Sequence, residues 1–326
     1  MKIQHIPYEF IKADPRWEYR RGADDHSLPR SLKIKGVLSP FIMVQQENRF
    51  CLVDGFKRHR LISKDKVSTV PAWLYAQDKV EEGFFHGLIL NSSQRPLNII
   101  EKSSVVRIVN QVGSEDFQRK IYDYLDMPNN PRFIHKYLEI DQLPEFAKEY
   151  FHQFQFSFRQ LERVLPVSFS QLQPWINAAK QIRIKAQDFV SLVEILSDIS
   201  LRENIGINTL FNVLEIEELI NKNWTQQQKS ACLKKHLHQK RFPMLHRIQK
   251  NMEEHVRSIQ KSSSIPLEFM WDKSLESPGF WLKIHLMDER KIEELQSLVQ
   301  QHQFIADLKK LFDLIFDLSE EPHETT

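Results

Sequence analysis

The chain has 326 residues, 41% hydrophobic and 11% aromatic, enough to bury roughly two or three cores and too apolar for a disordered chain. Its 45 Lys and Arg nearly balance 43 Asp and Glu, so the formal net charge of +2 announces no polyanionic partner, and only local clustering can. Two distant cysteines, Cys51 and Cys232, exclude a disulfide framework and a cysteine-based zinc site and point to a reducing compartment. No apolar run approaches a membrane span, and residues 1–7 lack the long apolar core of a signal peptide. The expectation is a cytoplasmic protein with no membrane partner. Eight glycines against 22 phenylalanines favour a helical chain with few tight turns.

In chain order, residues 28–35 read as a short helix that stops at Gly36. Apolar runs at 41–44, 50–53 and 70–74, bounded by Pro, Asn or Gly, predict strands, and 57–64 predicts a helix. This is a small α/β domain over 1–96. From Leu97 the apolar spacing turns helical. Helices are predicted over 99–112, 116–125 with Ser114 as N-cap, 131–140 with Pro131 at its first position, 145–153, and 158–165 capped by Ser157. These short helices joined by tight turns form a helix-turn-helix-like region. Further helices are predicted over 188–196, 207–221, 226–240 with Thr225 as N-cap, and 244–259. After the Ser262-Ser263-Ser264 linker, 265–271 and 279–285 predict a hairpin, and 288–299 and 304–316 two helices. The expected organisation is an α/β domain over 1–96, a helical DNA-binding region over 97–261, a C-terminal α+β unit over 262–318, and a disordered acidic tail over 319–326. The fold class is α+β, mainly helical.

The most informative segment runs from Cys51 to Ser63. An apolar strand ends at Asp54-Gly55, and Lys57, Arg58 and Arg60 crowd into the next positions. A glycine between strand and helix lets backbone N–H groups approach an anion, and the cations supply charge, which is a phosphate-binding arrangement. The bland alternative is a solvated turn with incidental charges.

Three stretches taken in order resemble the N-terminal domain of ParB-type partition proteins. Gly36, Val37 and Pro40 match a Gly-Val/Ile-x-x-Pro stretch. Asp54, Gly55, Arg58 and Arg60 match Asp-Gly-Glu-Arg-Arg-x-Arg. Asn91, Leu97, Asn98, Ile100 and Glu101 match Glu-Asn-x-x-Arg followed by Leu-Asn-Pro-Ile-Glu. The resemblance implies a pocket for cytidine triphosphate with Mg²⁺, lined by Gly36, Ser39, Gly55, Lys57, Arg58, Arg60, Asn91 and Arg95, with Asn91 as metal ligand. It implies at most slow CTP hydrolysis, and a homodimeric clamp on double-stranded DNA working with a partition ATPase at the nucleoid. The chain departs from the pattern at Phe56 and Lys57, and at Leu90, where the family carries an acidic residue. Losing that carboxylate weakens the metal site, because Mg²⁺ needs hard oxygen ligands. Sulfiredoxin, which shares the fold, is excluded because its turn needs a thiol and this turn holds Phe56 and Lys57.

Arg132, His135 and Lys136 lie along one side of the helix over 131–140, which suits a major groove; a solvated basic face is the alternative. Residues 229–261 hold nine Lys and Arg against two Glu. There Lys234, Lys235 and Lys240 are the expected phosphate-backbone contacts. Two other readings compete with the DNA clamp. One is a ParB-fold nuclease or phosphotransferase using Asp54, and the other is a non-catalytic adaptor that keeps the fold.

Overall fold

The computed structural model describes residues 2–22, 37–62 and 67–316. Gly36, the helix expected over 28–35, the end of the helix expected over 57–64, and the tail over 319–326 lie outside the described residues. The chain is α+β and mainly helical, and it divides into two compact units, 1–200 with 204–230, and 201–203 with 231–326.

In the first unit, five strands form one sheet: β1 (Ile3–Pro7), β2 (Ile11–Lys12), β3 (Phe41–Gln46), β4 (Arg49–Asp54) and β5 (Thr69–Tyr75), in the order β1-β5-β3-β4-β2. β3 pairs parallel with β5 and antiparallel with β4. Its run Phe41, Ile42, Met43 and Val44 is buried, as befits a central strand covered on both faces. Leu52, Val70, Ala72 and Ile62 join Phe41 and Met43 in one core. Ile62 belongs to α1 (Phe56–Ile62), which follows β4 directly.

Across the sheet lies α2 (Val80–Gln94), a helix that the apolar pattern does not reveal. Its Gly83 and Gly87 weaken the helical signal. They also let the helix approach closely, since a Cβ on Gly87 would sit 3.1 Å from the Asp54 Cβ and one on Gly83 3.1 Å from the Tyr75 ring. Strands β1 and β2 also escape the sequence pattern, the second being only two residues long.

The helical part of this unit begins with α3 (Ile99–Val112), whose N-cap Asn98 forms a reciprocal capping box with Glu101. Then come α4 (Glu115–Tyr124), α5 (Pro131–Asp141), α6 (Glu145–Gln153), α7 (Phe158–Val164), α8 (Phe169–Gln181), α9 (Ala186–Glu203), α10 (Ile207–Val213) and α11 (Ile216–Asn221). Ser114 and Ser157 cap their helices through side-chain oxygens, as expected. One helix expected over 207–221 is two instead, because Glu215 sits in the left-handed region at φ 51°. α8 carries Pro174 inside it, which hides it from the sequence pattern. The helical core gathers Tyr150, Phe151, Phe156 and Phe189, with ring centroids of Tyr150 and Phe189 5.0 Å apart. The buried Tyr150 hydroxyl donates to the Ile184 carbonyl at 2.7 Å.

The helix α12 (Gln226–Arg241) is followed, in the second unit, by α13 (Pro243–Ser262), the antiparallel hairpin β6 (Leu267–Trp271) and β7 (Phe280–Ile284), α14 (Glu289–Gln300) and α15 (His302–Phe316). Ile259, Ile265, Leu267, Phe269, Leu298, Phe304 and Leu311 form its core, so the hairpin packs with α13 and with both terminal helices.

The β4–α1 junction depends on Gly55, held at φ +109°. A Cβ there would lie 2.5 Å from Phe41 Cδ1 and 2.9 Å from Cε1, atoms of a ring locked in the core. Gly55→Ala combines overpacking with a backbone conformation that L-residues rarely adopt, and is expected to lower unfolding free energy by about 2–4 kcal/mol. Chemical denaturation checks this; a decrease of less than about 1 kcal/mol would show that the junction relaxes freely.

Candidate anion-binding cleft

The turn after Gly55 divides its cations between two tasks. Arg58 folds back into the sheet, with its side chain only 15% exposed. It donates to the carbonyls of Ser39 and Pro40 and to Asp54 Oδ2 at 3.2 Å, and its guanidinium lies 5.0 Å above the Phe41 ring. Burial lowers its pKa and Asp54 opposes that shift, so Arg58 is a charge stitched into the β4–α1 corner. Ser39 contributes a carbonyl to this corner. Asp54 is engaged on both oxygens, since Oδ1 accepts from Asn91 Nδ2 at 2.6 Å. The same Asn91 nitrogen lies 2.9 Å from both the Tyr19 hydroxyl and the Gly87 carbonyl.

Lys57 points elsewhere. It lines a cleft of about 610 Å³ with Arg21, Gly22, Arg95, Asn98 and His152, and no carboxylate is among the lining residues. A second and larger cleft of about 950 Å³ shares Arg21, Gly22 and His152 and is lined by Arg60, Arg107, Lys148 and Lys180, but also by Glu18, Asp141, Glu145 and Glu149. There the charges neutralise in pairs: Arg60 with Glu18 at 2.8 Å, Arg107 with Asp141 at 2.9 Å, and Lys180 with Glu149 at 2.8 Å. In the smaller cleft Arg21 and Arg95 are also paired, with Glu145 and Glu101, but neither carboxylate belongs to its lining, so on the character of its wall it is the better candidate for an anion. Its cations come from α1, from the segment before Gly22 and from the α2–α3 connection.

One buried group sets the geometry of that cleft. Glu101, with a fully buried side chain, accepts from Arg95 at 2.6 and 2.8 Å, from Arg20 at 3.3 Å, and from the backbone N–H groups of Arg21 and Asn98 at 2.9 and 3.2 Å. Burial alone would raise this carboxyl. The hydrogen bonds from Arg95 and the Arg21 amide, with the charges of Arg95 and Arg20, outweigh it and hold Glu101 below the ordinary carboxylate range. Arg95 remains 45% exposed on its outer edge. Sequence reasoning reaches Glu101 only as part of a motif, and nothing in the sequence singles out His152 or Arg21.

Of the eight residues expected around a ligand, Lys57 and Arg95 meet in this cleft, while Gly55, Arg58, Ser39 and Asn91 belong to the corner behind it, Arg60 faces the larger cleft, and Gly36 is outside the described residues. For Mg²⁺ the chain's own donor set is sparse. The contacts of Asn91 with Asp54, Tyr19 and Gly87 all run through its amide nitrogen, both Asp54 oxygens are engaged, and among the described residues no group of three His, Cys, Asp or Glu is placed to hold a metal, so a Mg²⁺ ion here would rest mainly on the ligand's phosphates and water.

The expected DNA-contacting residues fall in separate units. On α5, Arg132 and His135 are exposed, Lys136 is half-buried and pairs with Glu139 at 2.9 Å, and Phe133 and Tyr137 pack on Phe158. Lys234 and Lys235 are exposed on α12, and Lys240 pairs with Glu203 at 3.0 Å.

No protein-family profile matches the chain, and no curated protein does. Among solved structures, the chain is similar to the C-terminally truncated chromosome-partitioning protein ParB from Caulobacter crescentus complexed with CTP-γ-S, at 18% identity and TM-score 0.26, covering 54% of this chain and 99% of that one. It is also similar to the truncated Caulobacter ParB complexed to the centromeric parS site, at 15% identity and TM-score 0.31 over 59% and 98% of the two chains. A third neighbour is a Pnob8-like ParB-N domain, at 13% identity and TM-score 0.36 over 56% and 84%. At these TM-scores the superpositions carry no residue correspondence.

The Glu101 cluster has a pH signature. Its folded-state pKa is depressed, so its stabilisation is complete above the ordinary carboxylate value of about 4.3 and is lost as pH falls through the lower folded value. Glu101→Gln is expected to cost about 3 kcal/mol at pH 7, as for a broken buried ion pair, and to flatten the acid limb of stability against pH. Denaturant titrations from neutral pH down to about pH 3 measure both; an unchanged acid limb would contradict this account.

Proposed function

We propose that this chain is a ParB-like DNA-binding protein whose N-terminal α/β layer holds a phosphate-bearing small ligand, with CTP the favoured candidate. The observation that carries the ligand reading is the carboxylate-free cleft joining Lys57, from the glycine turn, to Arg95. Its volume of about 610 Å³ lies within the range of small-ligand pockets. The three ordered motifs that resemble partition proteins support the same reading. When bound, the nucleotide supplies charge that the cleft's cations neutralise; Lys57 meets it as a point charge, and Arg95, whose two Nη groups are held by Glu101 and by the Pro96 and Arg21 carbonyls, offers its charge and its Nε–H. The engaged state of Asp54 favours a binding role over a nuclease or phosphotransferase, because both oxygens already accept hydrogen bonds from Asn91 and Arg58. In this reading the protein acts on double-stranded DNA as a homodimer, with a partition ATPase as a further partner.

The ligand half is checked by calorimetry with each nucleoside triphosphate. Lys57→Ala should weaken CTP binding by about 1.5–3 kcal/mol while leaving the fold intact. Because the chain offers few hard oxygen ligands and Leu90 stands where the resemblance implies a carboxylate, chelating Mg²⁺ should change affinity little, whereas Leu90→Glu should increase metal dependence. Strong Mg²⁺ dependence in the natural chain would contradict the site.

The DNA half is checked by fluorescence anisotropy with several duplexes across a salt series. Changing Lys234 and Lys235 together to Ala should weaken all duplexes alike and reduce the salt slope by about one for each phosphate that is no longer neutralised. Arg132→Ala should instead alter sequence preference if α5 enters a major groove. No salt-dependent binding by the full chain would favour the adaptor reading.

A further inference from the structure

The cleft that holds Lys57 and Arg95 has one wall from α6, and that wall presents His152. A chain of hydrogen bonds fixes the ring, starting at the N-terminus of α3. Asn98 Oδ1 accepts the Glu101 N–H at 3.0 Å as the helix cap, which decides the orientation of the amide. Its Nδ2 end is then left facing His152 Nδ1. Because Nδ2 only donates, Nδ1 is the bare acceptor nitrogen, and the ring proton belongs on Nε2. Nε2 reaches the cleft: it lies 3.4 Å from where a Cβ on Gly22 would stand, and Lys57 Nζ lies 3.7 Å from the same point. An ammonium from α1 and an imidazole N–H from α6 thus flank one spot, beside a residue with no side chain to fill it.

We infer that His152 is an anion-binding residue, whose Nε2–H donates to a phosphate oxygen of a small polyphosphate held by Lys57 and Arg95. The inference rests on the ligand reading above and deepens it, because one ligand would then tie the sheet layer to α6 within the same unit. The surroundings keep the ring neutral. Burial lowers its pKa most, Arg95, Arg21 and Lys57 lower it further, and Glu101 opposes them. Those four charges face the ring from α1, the segment before Gly22, the α2–α3 connection and α3. Protonation would also set an Nδ1–H against the Asn98 Nδ2–H. A neutral imidazole with a fixed tautomer is a directional donor rather than one more charge. The concave cleft suits a small polyphosphate over a duplex backbone.

The test uses the full chain labelled with ¹⁵N-histidine, with the His152 signal assigned by its loss in His152→Gln. The expected result is an Nε2–H tautomer at neutral pH that titrates below the ordinary histidine range. That signal should shift on adding inorganic triphosphate or CTP and stay still on adding duplex DNA. Calorimetry should show His152→Ala weakening triphosphate binding about tenfold or more, the lower range for a hydrogen bond to a charged group. His152→Gln, whose amide nitrogen reaches a similar position, should recover most of that loss. An Nδ1–H tautomer, or unchanged affinity in a folded His152→Ala chain whose Lys57→Ala counterpart loses binding, overturns the His152 assignment and leaves the ligand reading standing. Failure of the natural chain to bind either triphosphate or CTP overturns both. A response of the His152 signal to duplex DNA alone would assign the cleft to the DNA backbone and overturn the small-ligand inference. Should His152→Ala not fold, the tautomer and the ligand-induced shift in the natural chain decide.

Discussion

A single buried carboxylate organises the N-terminal half of this protein. Glu101 has no exposed side-chain surface, and a lone charge so placed would cost several kcal/mol. It persists because two guanidinium groups and two backbone N–H groups meet it. Satisfying it has three structural consequences. The segment carrying Arg20 and Arg21 is drawn against α3. The corner between α2 and α3 is closed by Arg95. The Asn98 cap is locked, and with it the ring of His152. The anion cleft is the space those three constraints leave open.

A second polar cluster uses the same logic a few residues away. Asp54, Arg58, Asn91 and Tyr19 satisfy one another at the seam between the sheet and α2. This division explains why adjacent cations in one short motif differ in role. Arg58 is turned inward because Gly55 brings it over Phe41 and beside the carbonyls of Ser39 and Pro40. Lys57, one residue earlier on the helix, is rotated away and meets the cleft. A charge count along the sequence treats the two as equivalent, whereas their surroundings do not.

What the sequence makes legible here is local. Caps at Ser114, Ser157 and Thr225 announce their helices, because a side-chain oxygen and its N–H partner lie within three residues. The strands β3, β4 and β5 announce themselves through short apolar runs. Helix α2 is hidden because its glycines serve close packing on the sheet, and α8 because a proline sits inside it. The cleft is half legible: the glycine turn marks Lys57, but the contacts that complete the site join residues far apart in the chain. Asn98 and His152 are 54 positions apart, and Arg21 and Glu101 are 80. No periodicity encodes such pairs; they follow only from how the helical layer packs.

The pairing of charges also bears on how a ligand would be chosen. Arg21 is tied to Glu145, Arg95 to Glu101, and Arg60 to Glu18. The region is rich in cations yet close to neutral, so bulk attraction for any polyanion is weak there. A flexible duplex-binding surface works differently: exposed lysines release counterions and need little geometry. In the cleft, by contrast, Arg95 and His152 are oriented by Glu101 and Asn98, and the donors are limited in number. Such a site selects for a compact anion whose oxygens meet fixed N–H groups, and it rejects anions that offer charge without the matching geometry. Arg132 on α5 and Lys235 on α12 are instead exposed, so under the function proposed above a nucleotide and a duplex would draw on different cations of this chain.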